Sequence, residues 1–236
     1  FACRGELIAL SGQNGIGKST LIRTIAGLQE PLGGKVLIKS RPLKELGRYE
    51  IARTIGYIST EPVRVSNMTV YDLVSLGRYP HTGWTGKLQD ADHLSVREAI
   101  SKVSLDDFAG RYINELSDGE RQRAMIARVL AQDAEVLLMD EPTAFLDVTG
   151  RTEMVHLLHE LTGLRGKTVI YSTHDILTAI SESDRIWLLL GDSFREGSPD
   201  ELVSDGSLKG ILGKLAVSFT GDKVTFSVER VKSSGL

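Results

Sequence analysis

"ELIALSGQNGIGKSTLIRTIAGL", residues 6–28, decides the fold. Its opening is a short apolar run closed by Gly12, the pattern of a strand. Its end carries Leu21, Ile22, Ile25 and Ala26 at helical spacing. Between them, Gly12, Gly17, Lys18 and Ser19 fit the spacing G-x-x-x-x-G-K-[ST]. Glycines let successive backbone N–H groups wrap phosphate oxygens, the lysine ammonium neutralises the β- and γ-oxygens, and the serine hydroxyl suits Mg²⁺. The chain is therefore expected to bind a nucleotide through Gly12, Gln13, Asn14, Gly15, Ile16, Gly17, Lys18, Ser19 and Thr20.

Working outward, "GGKVLIKS" (33–40) and "TIGYIS" (54–59) are expected strands. Residues 69–115 carry little strand signal. Thr69 with Asp72 spells a capping box, "SVREAISKVSL" (95–105) is a further helix, and Gly77 and Pro80 are expected to end the first. "AEVLLMDE" (134–141) and "KTVIYSTH" (167–174) are continuous apolar runs flanking the amphipathic "RTEMVHLLHEL" (151–161). "DRIWLLLGDSFREG" (184–197) predicts a strand with a return hairpin, and "KVTFSVERV" (223–231) a terminal strand. The whole is one α/β domain over 1–236, interrupted by a helical insert at 66–115 and closed by an extension at 200–236. The chain runs almost at once from Phe1 into its first strand, so a further N-terminal strand region is expected upstream.

"EVLLMDE" complements the phosphate loop. In a parallel sheet it brings Asp140 and Glu141 to the edge where that loop lies. Asp140 suits a Mg²⁺ shell, and Glu141 suits accepting a proton from an attacking water. His174 ends the next apolar strand and should share that edge.

"ELSDGERQRA" (115–124) poses a different problem. Ser117 and Glu120 form a capping box for a helix bearing Met125, Ile126, Val129 and Leu130. That leaves Gly119, which costs up to about 1 kcal/mol relative to alanine in a helix and favours close backbone approach. The chain's own nucleotide is already cradled at 12–20, so the approaching phosphate must come from another subunit.

Composition narrows the classes. A net charge of −3 gives no global drive toward nucleic acid or anionic membrane, and the single Cys3 excludes an internal disulfide. No apolar run reaches the roughly 18–20 residues that span a bilayer. His156, His159 and Glu160 lack a third ligand cluster, and Arg121 and Arg123 are expected on a solvated helix face.

The order of phosphate loop, helical insert, "LSDGE", "VLLMDEPT", "AFLD" and "STHD" resembles the nucleotide-binding subunit of ATP-binding-cassette (ABC) transporters. The resemblance implies a P-loop NTPase core with a mostly parallel sheet, an antiparallel β subdomain and a helical insert. It implies ATP and Mg²⁺, with Ser19 and Asp140 at the metal and Lys18, Glu141 and His174 in hydrolysis. Ser117, Asp118, Gly119 and Glu120 would be the signature that acts on the partner's ATP, and Asp147 a dimer contact. Partners would be a second copy, integral-membrane permease subunits and, indirectly, a periplasmic or surface substrate-binding protein. No nucleic acid is expected, and the place implied is the cytoplasmic face of the cell membrane. "VYDLVSLGRYPHTGW" (70–84) resembles the importers of ferric siderophores, haem and cobalamin.

Three departures stand out. "LSDGE" replaces the usual L-S-G-G-Q. Thr60 followed by Glu61 stands where the family has glutamine, so Thr60 is expected to reach the metal through a water, with Glu61 outside its shell. The adenine-stacking aromatic would lie upstream of Phe1. The rival classes are an ABC ATPase of another transporter type and a non-transport ABC ATPase in DNA maintenance. The latter usually needs a long coiled-coil or DNA-binding insertion, for which the stretch between phosphate loop and "LSDGE" is short.

Overall fold

The computed structural model describes residues 1–61, 67–83, 86–144, 146–163, 166–191, 193–212, 215–220 and 223–228. Strand β1 (Leu7–Gly12) leads through the glycine-rich loop into helix α1 (Lys18–Ile25). The two-residue strands β2 (Leu37–Ile38) and β3 (Arg41–Pro42) pair antiparallel, and α2 (Arg48–Thr54) runs into β4 (Ile55–Ile58). The insert holds α3 (Val70–Ser75), a 3₁₀ stretch over Leu76–His81, and α4 (Asp90–Lys102). Then come α5 (Asp118–Gln132), β5 (Val136–Met139), α6 (Val148–Gly163), β6 (Thr168–Ser172) and α7 (Ile176–Glu182). The chain continues through β7 (Arg185–Leu190), β8 (Ser193–Gly197), α8 (Pro199–Ser204) and α9 (Lys209–Leu212) to the hairpin β9 (Leu215–Thr220) and β10 (Lys223–Val228).

The central sheet has the order β4-β5-β6-β1-β7-β8, parallel except for the β7–β8 hairpin. Alternation along β1 explains its unbroken apolar sequence. Leu7 and Ala9 face one cluster with Leu137, Met139, Val169 and Tyr171. Ile8 and Leu10 face the other with Leu138, Ile170 and Ile22 of α1. Each face is covered, so neither can be polar. Ile22 is fully buried; its truncation to alanine costs about 2–5 kcal/mol by lost transfer and cavity terms.

Two local expectations are revised. The strand expected over 33–40 is only two residues long, because its partner β3 ends in Pro42, which has no N–H to continue the ladder. The helix from Val70 does not stop at Gly77. It turns 3₁₀ after Ser75 and continues through Gly77 and Pro80 to His81. A Cβ at Gly77 would collide with the Arg128 carbonyl of α5, so this glycine serves close packing rather than termination. The expected capping box at Thr69 is present, with both reciprocal bonds to Asp72. The terminal strand is β10, and sequence alone gave no sign of its partner β9. Ser66, Trp84, Phe145 and residues 229–236 lie outside the described residues.

Candidate functional site

Strand register builds the site. Leu10 of β1 is level with Ser172 of β6, and Met139 of β5 with Tyr171. Parallel pairing therefore delivers the residues after β1, β5 and β6 to one sheet edge. There a cleft of about 490 Å³ is lined by Asn14, Gly15, Gly17, Lys18, Ser19, Thr20, Glu141 and His174. The phosphate loop, the second acid and the histidine, three separate sequence expectations, thus meet in one depression.

The loop is shaped for an oxyanion. Gly15 and Gly17 hold φ of 79° and 107°, and a Cβ at either would meet open space. Their backbone conformation, not crowding within the chain, requires glycine. Gly17 caps α1 without any side-chain hydrogen bond, so the first N–H groups of that helix are left for a ligand. The buried Lys18 donates from Nζ to the carbonyls of Gly12 at 2.9 Å and Gln13 at 3.1 Å. Its charge is thereby held at the cleft. Ser19 and Asp140 offer hard oxygen donors, the chemistry that suits Mg²⁺.

The acid pair is more tightly held than the sequence implied. Asp140 is 2% exposed. Its N–H donates to Ile58 O at 2.9 Å, and its carbonyl accepts from Thr60 Oγ1 at 3.0 Å. Ser172 Oγ, itself fully buried, lies 2.6 Å from Asp140 Oδ1 and accepts from the Glu141 N–H at 2.8 Å. Glu141 has φ of +47°, a left-handed backbone that costs a non-glycine residue about 1–2 kcal/mol. Its Oε2 lies 3.8 Å from His174 Nδ1. Ser172 was not foreseen, because nothing in its spacing marks it and only the β5–β6 register sets it between the acids.

Thr60 spends its one proton on the Asp140 carbonyl, leaving its lone pairs for a water. The exposed Glu61 carboxylate is engaged by Arg23 at 2.8 Å. A Tyr57 hydroxyl 3.4 Å from Arg23 Nε and that carboxylate, in this order, raise the guanidinium pKa.

The start of α5 is arranged differently. Ser117 is its N-cap, accepting from Glu120 N, while Glu120 Oε2 accepts from Ser117 N at 2.8 Å and from its hydroxyl at 2.7 Å. Those bonds to Ser117 hold the Glu120 carboxyl below the usual carboxylate range. Asp118 binds Arg121 at 2.7 Å. None of Ser117–Glu120 is among the described residues lining the cleft. Asp147 turns back on α6, accepting from Gly150 N at 2.8 Å.

Two surface expectations are corrected. Arg121 is not a solvated residue: it donates to Leu116 O at 2.7 Å and ties down the turn before α5. Arg123 is half-buried, and its Nε is buried without a partner among the described residues. His159 is taken by Glu182 at 3.1 Å.

A family profile described as "ABC transporter" matches residues 2–144. The probable siderophore transport system ATP-binding protein YusV of Bacillus subtilis is 36% identical over 202 residues, covering 85% of this chain and 74% of that protein. The achromobactin transport ATP-binding protein CbrD of Dickeya dadantii is 37% identical over 207 residues, covering 87% and 77%. The dimeric post-hydrolysis structure of the ATP-binding cassette MJ0796 with ADP and Pi superposes with a TM-score of 0.75 at 29% identity, covering 84% of this chain and 88% of that one. With that profile spanning the glycine-rich loop, the LSDGE turn and both acids, the chain belongs to the ABC transporter family and is an ATP-hydrolysing subunit of it.

Proposed function

We propose that this chain powers uptake of an iron-siderophore, haem or cobalamin-type chelate, working as a pair of identical subunits that close over two ATP. The carrying observation is the separation of the two anion-suited helix starts. Only α1 opens into the chain's own cleft, whereas Ser117–Glu120 stand outside it, so a second copy is needed to bring a signature to each nucleotide. The names of the two relatives, one of a probable siderophore transport system and one of achromobactin transport, support the cargo class.

In this reading Gly12–Thr20 cradle the phosphates and Lys18 neutralises them. Ser19 and Asp140 would hold Mg²⁺, which supplies positive charge at the β- and γ-oxygens. Glu141 accepts the proton of the attacking water, and His174 contacts the γ-phosphate from the same edge. Ser117 and Gly119 receive the partner's γ-phosphate, and Asp147 lies at the seam between subunits. The permease grips the insert around Leu76 and Tyr79, which are 52% and 59% exposed while their neighbours Gly77 and Pro80 are buried. No described helix is long and apolar enough to cross a membrane. By the family resemblance, the chain would bind its permease peripherally from the cytoplasmic face, with a substrate-binding protein engaging the permease from outside.

Light scattering of Glu141→Gln tests the pairing: monomer without nucleotide, dimer with ATP. A monomer at every workable concentration would overturn it. A deletion strain without a second importer tests the cargo, and normal growth on each chelate as sole source would sink that part.

A further inference from the structure

We infer that Ser172 is a positioning residue for ATP hydrolysis, its single hydroxyl setting the metal-side carboxylate and the proton-accepting glutamate at once. This rests on the assignment of Asp140 and Glu141 made above. The Glu141 N–H can only donate, so at 2.8 Å it occupies a lone pair of Ser172 Oγ. The hydroxyl proton is then directed to Asp140 Oδ1 at 2.6 Å. A charge-assisted bond of that length is a strong one. It engages one lone pair of Oδ1 and fixes the orientation of the carboxylate, whose remaining lone pairs are left for a metal shell.

The same hydroxyl anchors the amide of a residue with φ of +47°, a conformation that persists only where the surroundings hold it. Opposite Ser172, Ile58 O and Thr60 Oγ1 fix the Asp140 N–H and carbonyl. The Asp140–Glu141 segment is thus gripped from β4 on one side and from β6 on the other. Ser172 is the one group among these that touches both acids. It is fully buried, so no water can substitute for it without a change in packing. Valine would fill the space and leave both the Oδ1 and the Glu141 N–H unpartnered.

The test compares Ser172→Thr with Ser172→Val. The two side chains share a shape and therefore any steric cost of the added methyl; they differ in the hydroxyl. Steady-state hydrolysis, Mn²⁺ affinity in the presence of ADP measured by electron paramagnetic resonance, and thermal midpoints are read for each. We expect the valine variant to lose tenfold or more in kcat relative to threonine and to bind Mn²⁺ several-fold more weakly, with the KM for ATP unchanged. Equal kcat and equal Mn²⁺ affinity in the two variants would overturn the inference. If threonine does not fold, Ser172→Ala against the parent protein decides by the same two readouts. Glu141→Gln separates the failures. If it hydrolyses ATP at the parental rate, the acid-pair assignment itself is wrong. If it is inactive while valine equals threonine, only the role of Ser172 falls.

Discussion

Helices α1 and α5 both begin on residues suited to an anion, yet the chain finishes their ends in opposite ways. At α1 the cap is Gly17, which offers no side chain, and the first N–H groups open into the cleft. At α5 the cap is Ser117, whose N–H and hydroxyl are both taken by Glu120 of the same turn. The far end of α5 is also occupied: Arg78 donates to Ala131 O and His81 to Gln132 O, each at 2.8 Å, which places basic side chains at a negative helix end. Arg78 is in turn held by the buried Asp92 at 2.9 Å. One helix is left incomplete where its own ligand binds. The other is completed by its own chain, so in the proposed pairing a partner's phosphate would compete with Glu120 to reach Ser117.

The largest expected effects lie at the open end. Glu141→Gln should keep ATP binding and lower turnover by about 10³-fold, within the range for a lost general base. Lys18→Ala should lose nucleotide binding itself, since no other described side chain carries positive charge into the glycine-rich turn. Fluorescent-nucleotide titration alongside phosphate release separates the two, and a hydrolysing Glu141→Gln would show that another group takes the proton.

Next is the clamp at the closed helix. Asp92→Asn should destabilise the protein by about 2 kcal/mol at neutral pH, because the largely covered Arg78 is left without its counter-charge. Backbone N–H bonding from Gln89 first, then Arg78, holds the Asp92 carboxyl below its ordinary value against the opposing cost of burial. A depressed carboxylate contributes stability above its unfolded pKa, roughly 3.9, and loses it as pH falls through the folded value. Urea unfolding of parent and variant should therefore converge below about pH 4. A gap that is constant with pH would exclude the charge as its source.

Ser117→Ala should cost about 1 kcal/mol of stability as a lost cap, yet weaken ATP-driven dimerisation in the Glu141→Gln background beyond that cost. If unfolding shifts and dimerisation does not, α5 is closed for structure alone. The smallest effect belongs to Thr60→Gln. Basal hydrolysis should stay within about tenfold, or 1.4 kcal/mol, because Thr60 already spends its proton on the Asp140 carbonyl. Glu61→Ala should leave basal hydrolysis nearly unchanged, since an exposed pair with Arg23 contributes about 0–1 kcal/mol. A Mg-ATP structure with the Glu61 carboxylate on the metal would reverse that order.

The difference between the two helices was only half legible beforehand. Gly17 and the Ser117–Glu120 box are local, and spacing along the chain exposes them. The clamp at the end of α5 is not local. Arg78 and Ala131 are far apart in sequence, and "LGRYPH" looks like a helix stop until Gly77 is seen against Arg128. Arg121 misled for the same reason: a basic residue in a polar run looks solvated until its carbonyl partners are known.

What the sequence determined by itself is everything carried by local chemistry: the glycine-rich loop, the apolar strands that lead into Asp140 and, two residues beyond the strand end, His174, and the capping boxes at Thr69 and Ser117. These depend on neighbours within a few residues, whose geometry backbone sterics already restrict. The tertiary structure alone decided which of these features meet. Placing Ser172 between Asp140 and Glu141 required the β5–β6 register, and a slip of one residue there would have turned its hydroxyl to the opposite face of the sheet.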